Sequence, residues 1–159
     1  METYEVKQAL LSVGTVYHVR RPGTEDVMYA VHGELMSPTP KFRLVPGEDG
    51  ATLAELTGNF LKTKYEVLKA GKVIASLVFP AVAFKKTLAL TIDGKHYEAD
   101  GGVFKGLFQC KGDDGKMVLE IAKTMSIRDN FVVKPGESLD FEIGLLVAVA
   151  IHSRFYEMV

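Results

Sequence analysis

The sequence predicts a mainly β protein: roughly twelve antiparallel strands form a meander that closes into a barrel around a central hydrophobic C-terminal α-helix. Three observations predict this fold class. Short runs between turns alternate apolar and polar residues with period two. The longest apolar run lies near the end of the chain. Glycine-centred turn signals recur every 21 to 24 residues, at Gly23, Gly47, Gly71, Gly94, Gly115 and Gly136.

The predicted strands lie mostly on either side of these glycines and have ordinary strand lengths. The Asp-Gly pair at 93–94 is the strongest hairpin signal, because a type I′ turn needs positive φ at both central residues. Before it, Leu88, Leu90 and Ile92 share one face of a strand. Consecutive hairpins make the sheet antiparallel. The predicted strands are residues 4–8, 15–20, 27–33, 42–45, 52–58, 65–69, 73–79, 88–92, 95–99, 104–110, 117–123 and 126–133.

A sheet with so many twisted strands tends to close, and a barrel of about twelve strands is too wide for its own inward side chains to fill. We predict that a helix at 138–158 fills it. The apolar run 143–151 is shorter than the roughly 20 residues of a membrane span, and a helix apolar on all sides is usually buried in protein. Ser138 is the predicted N-cap. Gly144 and Ala148 are expected to let a strand approach the helix closely.

Two further patterns concern the connections between hairpins. Residues 31–35 resemble residues 56–60, and the central glycine of each predicts a bend or bulge. Pro80 is predicted to break the pairing between two strands. The neighbouring Phe79 and Phe84 have two interpretations: they are core residues, or they enter a lipid interface from an exposed loop.

Composition limits the possible classes of protein. A chain of 159 residues that is 47% hydrophobic suits one folded domain, 1–159. The net charge of −1 gives no global attraction to nucleic acid or to anionic membranes. Cys110 is the single cysteine, which excludes an internal disulfide and a cysteine-based zinc site. The N-terminus has no secretory signal pattern. We expect a cytoplasmic protein with no transmembrane segment and no nucleic-acid partner. Peripheral binding to a membrane stays open.

No pattern predicts catalysis, a metal or a cofactor. Cys110 lies two residues after Phe108 in a predicted strand, so the two side chains share one face, which favours a buried inert thiol. The carboxylate pairs at 48–49 and 113–114 sit beside glycines and are explained by turn chemistry. No helix follows the glycine pair at 101–102, so it is not a phosphate loop. We therefore expect a non-enzymatic protein. The histidines, none with metal-ligand spacing, are His18, His32, His96 and His152.

Basic residues form the most suggestive pattern. They open three predicted strands, and in a meander these strand starts lie at one end of the barrel, opposite the turns at Gly47, Gly71 and Gly94. Six positive charges on one rim make a local anion site despite the nearly neutral total. The alternative is that they protect strand ends and edges from aggregation. The candidate ligand-binding residues are Lys41, Arg43, Lys62, Lys64, Lys85 and Lys86.

The meander and the apolar helix with the run LLVAVAI at 145–151 resemble the tubby C-terminal-like fold. Within it, the compact length and repeated hairpins are most similar to the LURP-one-related proteins, relatives of the phospholipid scramblases. The resemblance covers residues 4–159. It implies a barrel around a central helix and contact with membrane phospholipids, because tubby domains bind phosphoinositides. The chain lacks the acylated cysteine cluster and proline-rich arm of scramblases, and no tubby phosphoinositide motif can be transferred residue by residue.

Three functions stay open at this point. The first is a non-enzymatic binding module for anionic phospholipid headgroups, which uses the basic rim. The second is a structural or protein-interaction scaffold with no lipid role, which uses exposed strand edges or rim loops. The third is an acyl-chain carrier, which requires the lumen to hold a ligand in place of the helix.

Overall fold

The computed structural model describes residues 2–11, 14–81, 87–101, 107–123 and 130–156. Its strands pair antiparallel in chain order, and the first pairs with the last, so the sheet is a closed barrel. The strands are β1 (Tyr4–Leu11), β2 (Gly14–Arg20), β3 (Tyr29–Gly33), β4 (Lys41–Pro46), β5 (Ala54–Gly58), β6 (Lys64–Lys69), β7 (Lys72–Val78), β8 (Thr87–Ile92), β9 (Lys95–Gly101), β10 (Leu107–Lys111), β11 (Met117–Lys123) and β12 (Asn130–Pro135).

The predicted fold class is confirmed: twelve antiparallel strands form a barrel with one C-terminal helix. Most strand boundaries fall within two residues of the predicted ones. The predicted starts at 104 and 126 lie outside the described residues. Closure also removes unpaired strand edges from the described sheet, because each of its twelve strands has two neighbours. A protein partner therefore cannot add a strand to an open edge of the described sheet. Of the two surfaces in the scaffold hypothesis, only the rim loops remain.

The helix α1 (Phe141–Ile151) begins three residues later than predicted, and its N-cap is Asp140. The Ser138 N-cap prediction is wrong. A turn occupies that position instead, with the Leu139 N–H donating to the Gly136 carbonyl over 3.1 Å. The Asp140 carbonyl accepts the first helical hydrogen bond, from the Ile143 N–H. After α1 the chain continues as a π-helical turn, His152–Tyr156, while residues 157 and 158 lie outside the described residues.

The central helix is the core of the barrel. Ile143 and residues 145–151 are each at most 3% exposed and Gly144 is buried as well, so every face of this stretch meets the wall. Gly144 lies against β11 and β12, where an added Cβ would come within 3.3 Å of Leu119 and 3.4 Å of Pro135. This agrees with the predicted close approach. Between α1 and strands β8 to β11 a cavity of about 10 Å³ remains. That space is too small for an acyl chain. The helix therefore occupies the volume that the carrier hypothesis needs for its ligand.

Gly33 and Gly58, which were predicted to mark bends or bulges, are the last residues of β3 and β5, where the chain leaves the sheet. Gly33 pairs with Phe42, and Gly58 pairs with Tyr65, and the register does not shift at either position. A Cβ on Gly58 would lie 2.7 Å from the Tyr65 ring. Each glycine therefore makes room for the aromatic ring of the neighbouring strand, and the bulge prediction is wrong.

The barrel has two different ends, which we call the hairpin end and the loop end. The hairpin end carries the connections after β2, β4, β6, β8 and β10 together with the start of α1. The loop end carries the connections after β1, β3, β5, β7, β9 and β11, and the π-helical turn lies there because α1 runs from the hairpin end toward it.

Candidate functional site

The predicted basic residues within the described chain lie at or near the loop end. Lys41 is the first residue of β4, Lys64 is the first residue of β6, and Lys62 lies in the connection before β6. Arg43 is the third residue of β4. The remaining two candidates, at 85–86, lie outside the described residues.

Lys41 and Lys62 line one depression of about 290 Å³ between the β3–β4 connection (residues 34–40) and the β5–β6 connection (residues 59–63). Ser153 of the π-helical turn also lines it. The half-buried Lys62 donates from Nζ to the Ser153 carbonyl oxygen over 3.4 Å. The depression therefore joins two loops of the barrel wall to the end of the central helix.

Arg43 is separate from this depression. It lies on the outer wall two residues along β4 from Lys41, a distance of about 6.5 Å along the strand. Its cross-strand neighbours are His32 on β3 and Glu55 on β5. The structure thus brings Lys41 and Lys62 together in the depression, with Lys64 nearby at the start of β6. It places Arg43 outside the depression, beside Glu55 on the neighbouring strand.

The β5–β6 connection is built around the side chain of Asn59. Its Oδ1 accepts hydrogen bonds from the backbone N–H groups of Thr63, at 2.8 Å, and Lys64, at 3.0 Å. Lys62 takes a left-handed conformation with a φ of 56°, which lets the chain turn back toward β6. The two residues at the tip, Phe60 and Leu61, are 75% and 68% exposed.

The β3–β4 connection presents a second apolar tip. Leu35 is 59% exposed and Met36 is 90% exposed. The loop is closed by the Glu34 N–H, which donates to the Lys41 carbonyl over 2.9 Å. It is also joined to the β5 strand end, because the Gly58 N–H donates to the Pro40 carbonyl over 2.8 Å. The two apolar tips therefore stand on adjacent, hydrogen-bonded loops.

The sequence reasoning missed these tips. The signal was the pair of large apolar residues two and three positions after Gly33 and after Gly58, since turns normally carry Gly, Pro, Asn, Asp or Ser at such positions. Phe79, the residue that was considered for a lipid interface, is instead buried at 2% exposure. It packs edge-on against Tyr65 and Phe155, so the core interpretation of Phe79 is confirmed and the interfacial one is wrong. Phe84 lies outside the described residues.

Buried polar contacts seal the barrel beneath the depression. The Tyr17 hydroxyl lies 2.8 Å from Nδ1 of His152, and the Tyr65 hydroxyl donates to Ser153 Oγ over 2.9 Å. Arg154 donates from Nη2 to the Pro80 carbonyl over 2.8 Å, which fixes the start of the β7–β8 connection. Hydrogen bonds therefore join the π-helical turn to β2, to β6 and to the residues after β7, and hold it in place at the loop end.

Charge is distributed unequally between the two ends. Each end consists of its described connections together with the strand residue on either side of each connection. The hairpin end has nine acidic residues (Glu25, Asp26, Glu48, Asp49, Asp93, Asp113, Asp114, Glu137, Asp140) and seven basic ones (Arg20, Arg21, Lys69, Lys72, Lys95, Lys111, Lys116). The described part of the loop end has one acidic residue, Glu34, and four basic ones, Lys41, Lys62, Lys64 and Lys123. The loop end is thus the basic end of a nearly neutral molecule.

Cys110 and His18, two titratable residues of the barrel wall, have shifted pKa values. Burial raises the pKa of the Cys110 thiol to about 11, which leaves it protonated and unreactive at neutral pH. Burial, followed by the nearby Arg20, lowers the pKa of His18. Within the described ranges, no group of three His, Cys, Asp or Glu side chains could hold a metal ion. The same ranges contain no helix with the length and apolar character needed to cross a membrane.

Fold and site together define a class of protein: a closed twelve-stranded barrel with a central helix, whose basic end carries two exposed apolar loop tips. Comparison with models of known protein families gave no match, and comparison with curated proteins gave none either.

Proposed function

We propose that the protein is a non-enzymatic module that binds anionic phospholipid headgroups through the loop end of its barrel. The observation that carries this proposal is the placement of Lys41 and Lys62 in one depression at the basic end, with Lys64 two residues after Lys62 at the start of β6. A basic residue near an anionic membrane surface contributes about 1 kcal/mol of attraction. Three such residues therefore supply about 3 kcal/mol, which is enough to orient the molecule and to give a preference of about 100-fold for anionic over neutral surfaces.

We further propose that the chain is a LURP-one-related, tubby C-terminal-like protein and that it works in the cytoplasm, peripheral to a membrane. The closed barrel around a helix supports the family proposal. The cytoplasmic leaflet is the one that carries the anionic lipids, which supports the proposed location.

Vesicle co-sedimentation tests the proposed function. The test variant carries Lys41→Glu and Lys64→Glu, and the matched control carries Lys72→Glu and Lys95→Glu. All four lysines are exposed first residues of strands, but the control pair lies at the hairpin end. The wild type and the control should sediment with phosphatidylserine-containing vesicles and not with pure phosphatidylcholine vesicles. The test variant should bind at least about 30-fold more weakly, since at least 2 kcal/mol of attraction is lost. Added salt should weaken wild-type binding, because it screens exposed charges.

Two results would contradict the proposal. Equal binding of the wild type to neutral and anionic vesicles would remove the headgroup role. Equal binding of the test and control variants would move the contact away from the loop end. If no vesicles are bound but the test variant still retains a protein partner, the scaffold hypothesis is favoured instead.

A further inference from the structure

We infer that the two apolar loop tips insert into the membrane interface, so that the loop end acts as a wedge rather than as a purely electrostatic contact. This inference rests on the proposed function and deepens it. The insertion tips are Leu35 and Met36 on one loop and Phe60 and Leu61 on the other. Within the described residues the exposed large apolar side chains number six, and these four are the most exposed of them.

The tips are held outward by the fold and do not contribute to its core. Asn59 binds the backbone of Thr63 and Lys64, so these hydrogen bonds order the turn that carries Phe60 and Leu61, while both side chains stay mostly exposed. In the other loop, Pro38 and Pro40 restrict the backbone that follows Met36, because each proline fixes its own φ and limits the residue before it. Because exposed apolar side chains in ordered turns add nothing to folding, they indicate an external contact.

The surrounding charges identify that contact as an anionic bilayer. Lys41, Lys62 and Lys64 flank the tips, and lysines beside an inserted apolar group can lie along the apolar surface while their ammonium groups stay at headgroup level. An aromatic residue such as Phe60 at the tip is typical of groups that bury 5–10 Å into the headgroup and acyl boundary. A second copy of this chain fits less well, since a head-to-head dimer would bring two basic ends together.

The size of the effect follows from the area of the tips. Full burial of one Leu or Phe side chain corresponds to a gain in affinity of roughly 10-fold to 150-fold. The tips are already partly covered in the free protein and enter only the interface, so each is expected to contribute at the low end of that range. Replacing both Phe60 and Leu61 by serine should therefore weaken binding to anionic vesicles by about 100-fold.

The chain contains no tryptophan, which allows a direct test by fluorescence. In the variant Phe60→Trp the single indole reports the environment of one tip. The control is Val73→Trp, at a partly exposed apolar position close to the hairpin end. With phosphatidylserine-containing vesicles, Phe60→Trp emission should shift to shorter wavelength and should be quenched by brominated acyl chains. Val73→Trp emission should not change. Co-sedimentation of Phe60→Ser/Leu61→Ser against Val73→Ser measures the affinity loss, and circular dichroism checks that each variant is folded.

The outcomes separate this inference from the proposed function. If the serine tip variant binds vesicles as the wild type does and the tip indole stays exposed to water, insertion is refuted, while loss of binding in the lysine variants would still support headgroup recognition. If no protein binds vesicles at all, both proposals fail. If the tip indole becomes buried without vesicles as protein concentration rises, the tips form a contact between copies of the chain and insertion is again refuted.

Discussion

Leu146→Ala tests whether the central helix holds the barrel together. Leu146 lies in the middle of α1 and is fully buried, so truncation removes three carbon atoms that have wall atoms on every side. A closed barrel can collapse little around the gap, because each strand is hydrogen-bonded to two neighbours. Buried Leu→Ala substitutions of this kind cost about 3–5 kcal/mol. That cost is a large share of the 5–15 kcal/mol that stabilises a typical domain, but it does not exceed it. The variant should therefore still fold, with lower stability.

The matched control is Leu61→Ala, the same truncation at a side chain that is 68% exposed. Its free energy of unfolding should change by less than about 0.5 kcal/mol. Urea denaturation followed by circular dichroism measures the free energy of unfolding of both variants, and in thermal denaturation the Leu146→Ala midpoint temperature should fall by about 10 °C. If Leu146→Ala lost under 1 kcal/mol, or no more than Leu61→Ala, the helix would not be the core.

Other predictions concern single residues of the wall and the helix. Ile151→Asp should prevent folding, since an unpaired charge at this fully buried position costs several kcal/mol, and a soluble variant that melts cooperatively would contradict this. Gly58→Ala should lower the free energy of unfolding by about 1–3 kcal/mol, because the new methyl group would collide with the Tyr65 ring; an unchanged urea midpoint would refute that steric account. Cys110 should react with a thiol reagent at pH 8 only after unfolding. Because the thiol pKa is higher in the folded protein, the thiol of the unfolded chain loses its proton at a lower pH. The protonated thiol should therefore contribute its full stabilisation below about pH 9, and this contribution should be lost as the pH rises toward 11. A Cys110→Ala variant should lack that part of the alkaline decline.

The fold could be predicted because its main determinants are local and periodic. Glycine turns at regular spacing fixed the number of hairpins, and the apolar run 143–151 had no other place to be buried. The N-cap was harder to predict, because Ser138 and Asp140 are both suitable residues. The choice depends on the turn that the Leu139 N–H makes with Gly136, which no local propensity specifies. Gly33 and Gly58 were misjudged for a similar reason, since their role depends on an aromatic ring on the next strand.

The candidate site was only partly predictable. The positions of Lys41 and Lys64 follow from strand order alone, because alternate strands of a meander start at the same end. The depression does not follow from strand order, since it needs the left-handed turn at Lys62 and the hydrogen bond from Gly58 to Pro40. The apolar tips were missed because Phe60 had been interpreted as part of a repeated strand pattern. In the structure β5 ends at Gly58, which leaves Phe60 in the turn.

The most direct test of the central claim is amide hydrogen exchange of the wild-type protein with and without phosphatidylserine-containing vesicles. The account predicts that vesicles slow exchange at residues 34–41 and 59–64, the two loops that carry the apolar tips and the rim lysines. The hairpin turns around Gly47 and Gly94 should exchange at the same rate in both samples and serve as the internal reference. Protection that appears at the hairpin turns, or no protection at either loop under conditions where the protein is bound, would contradict the assignment of membrane binding to the loop end.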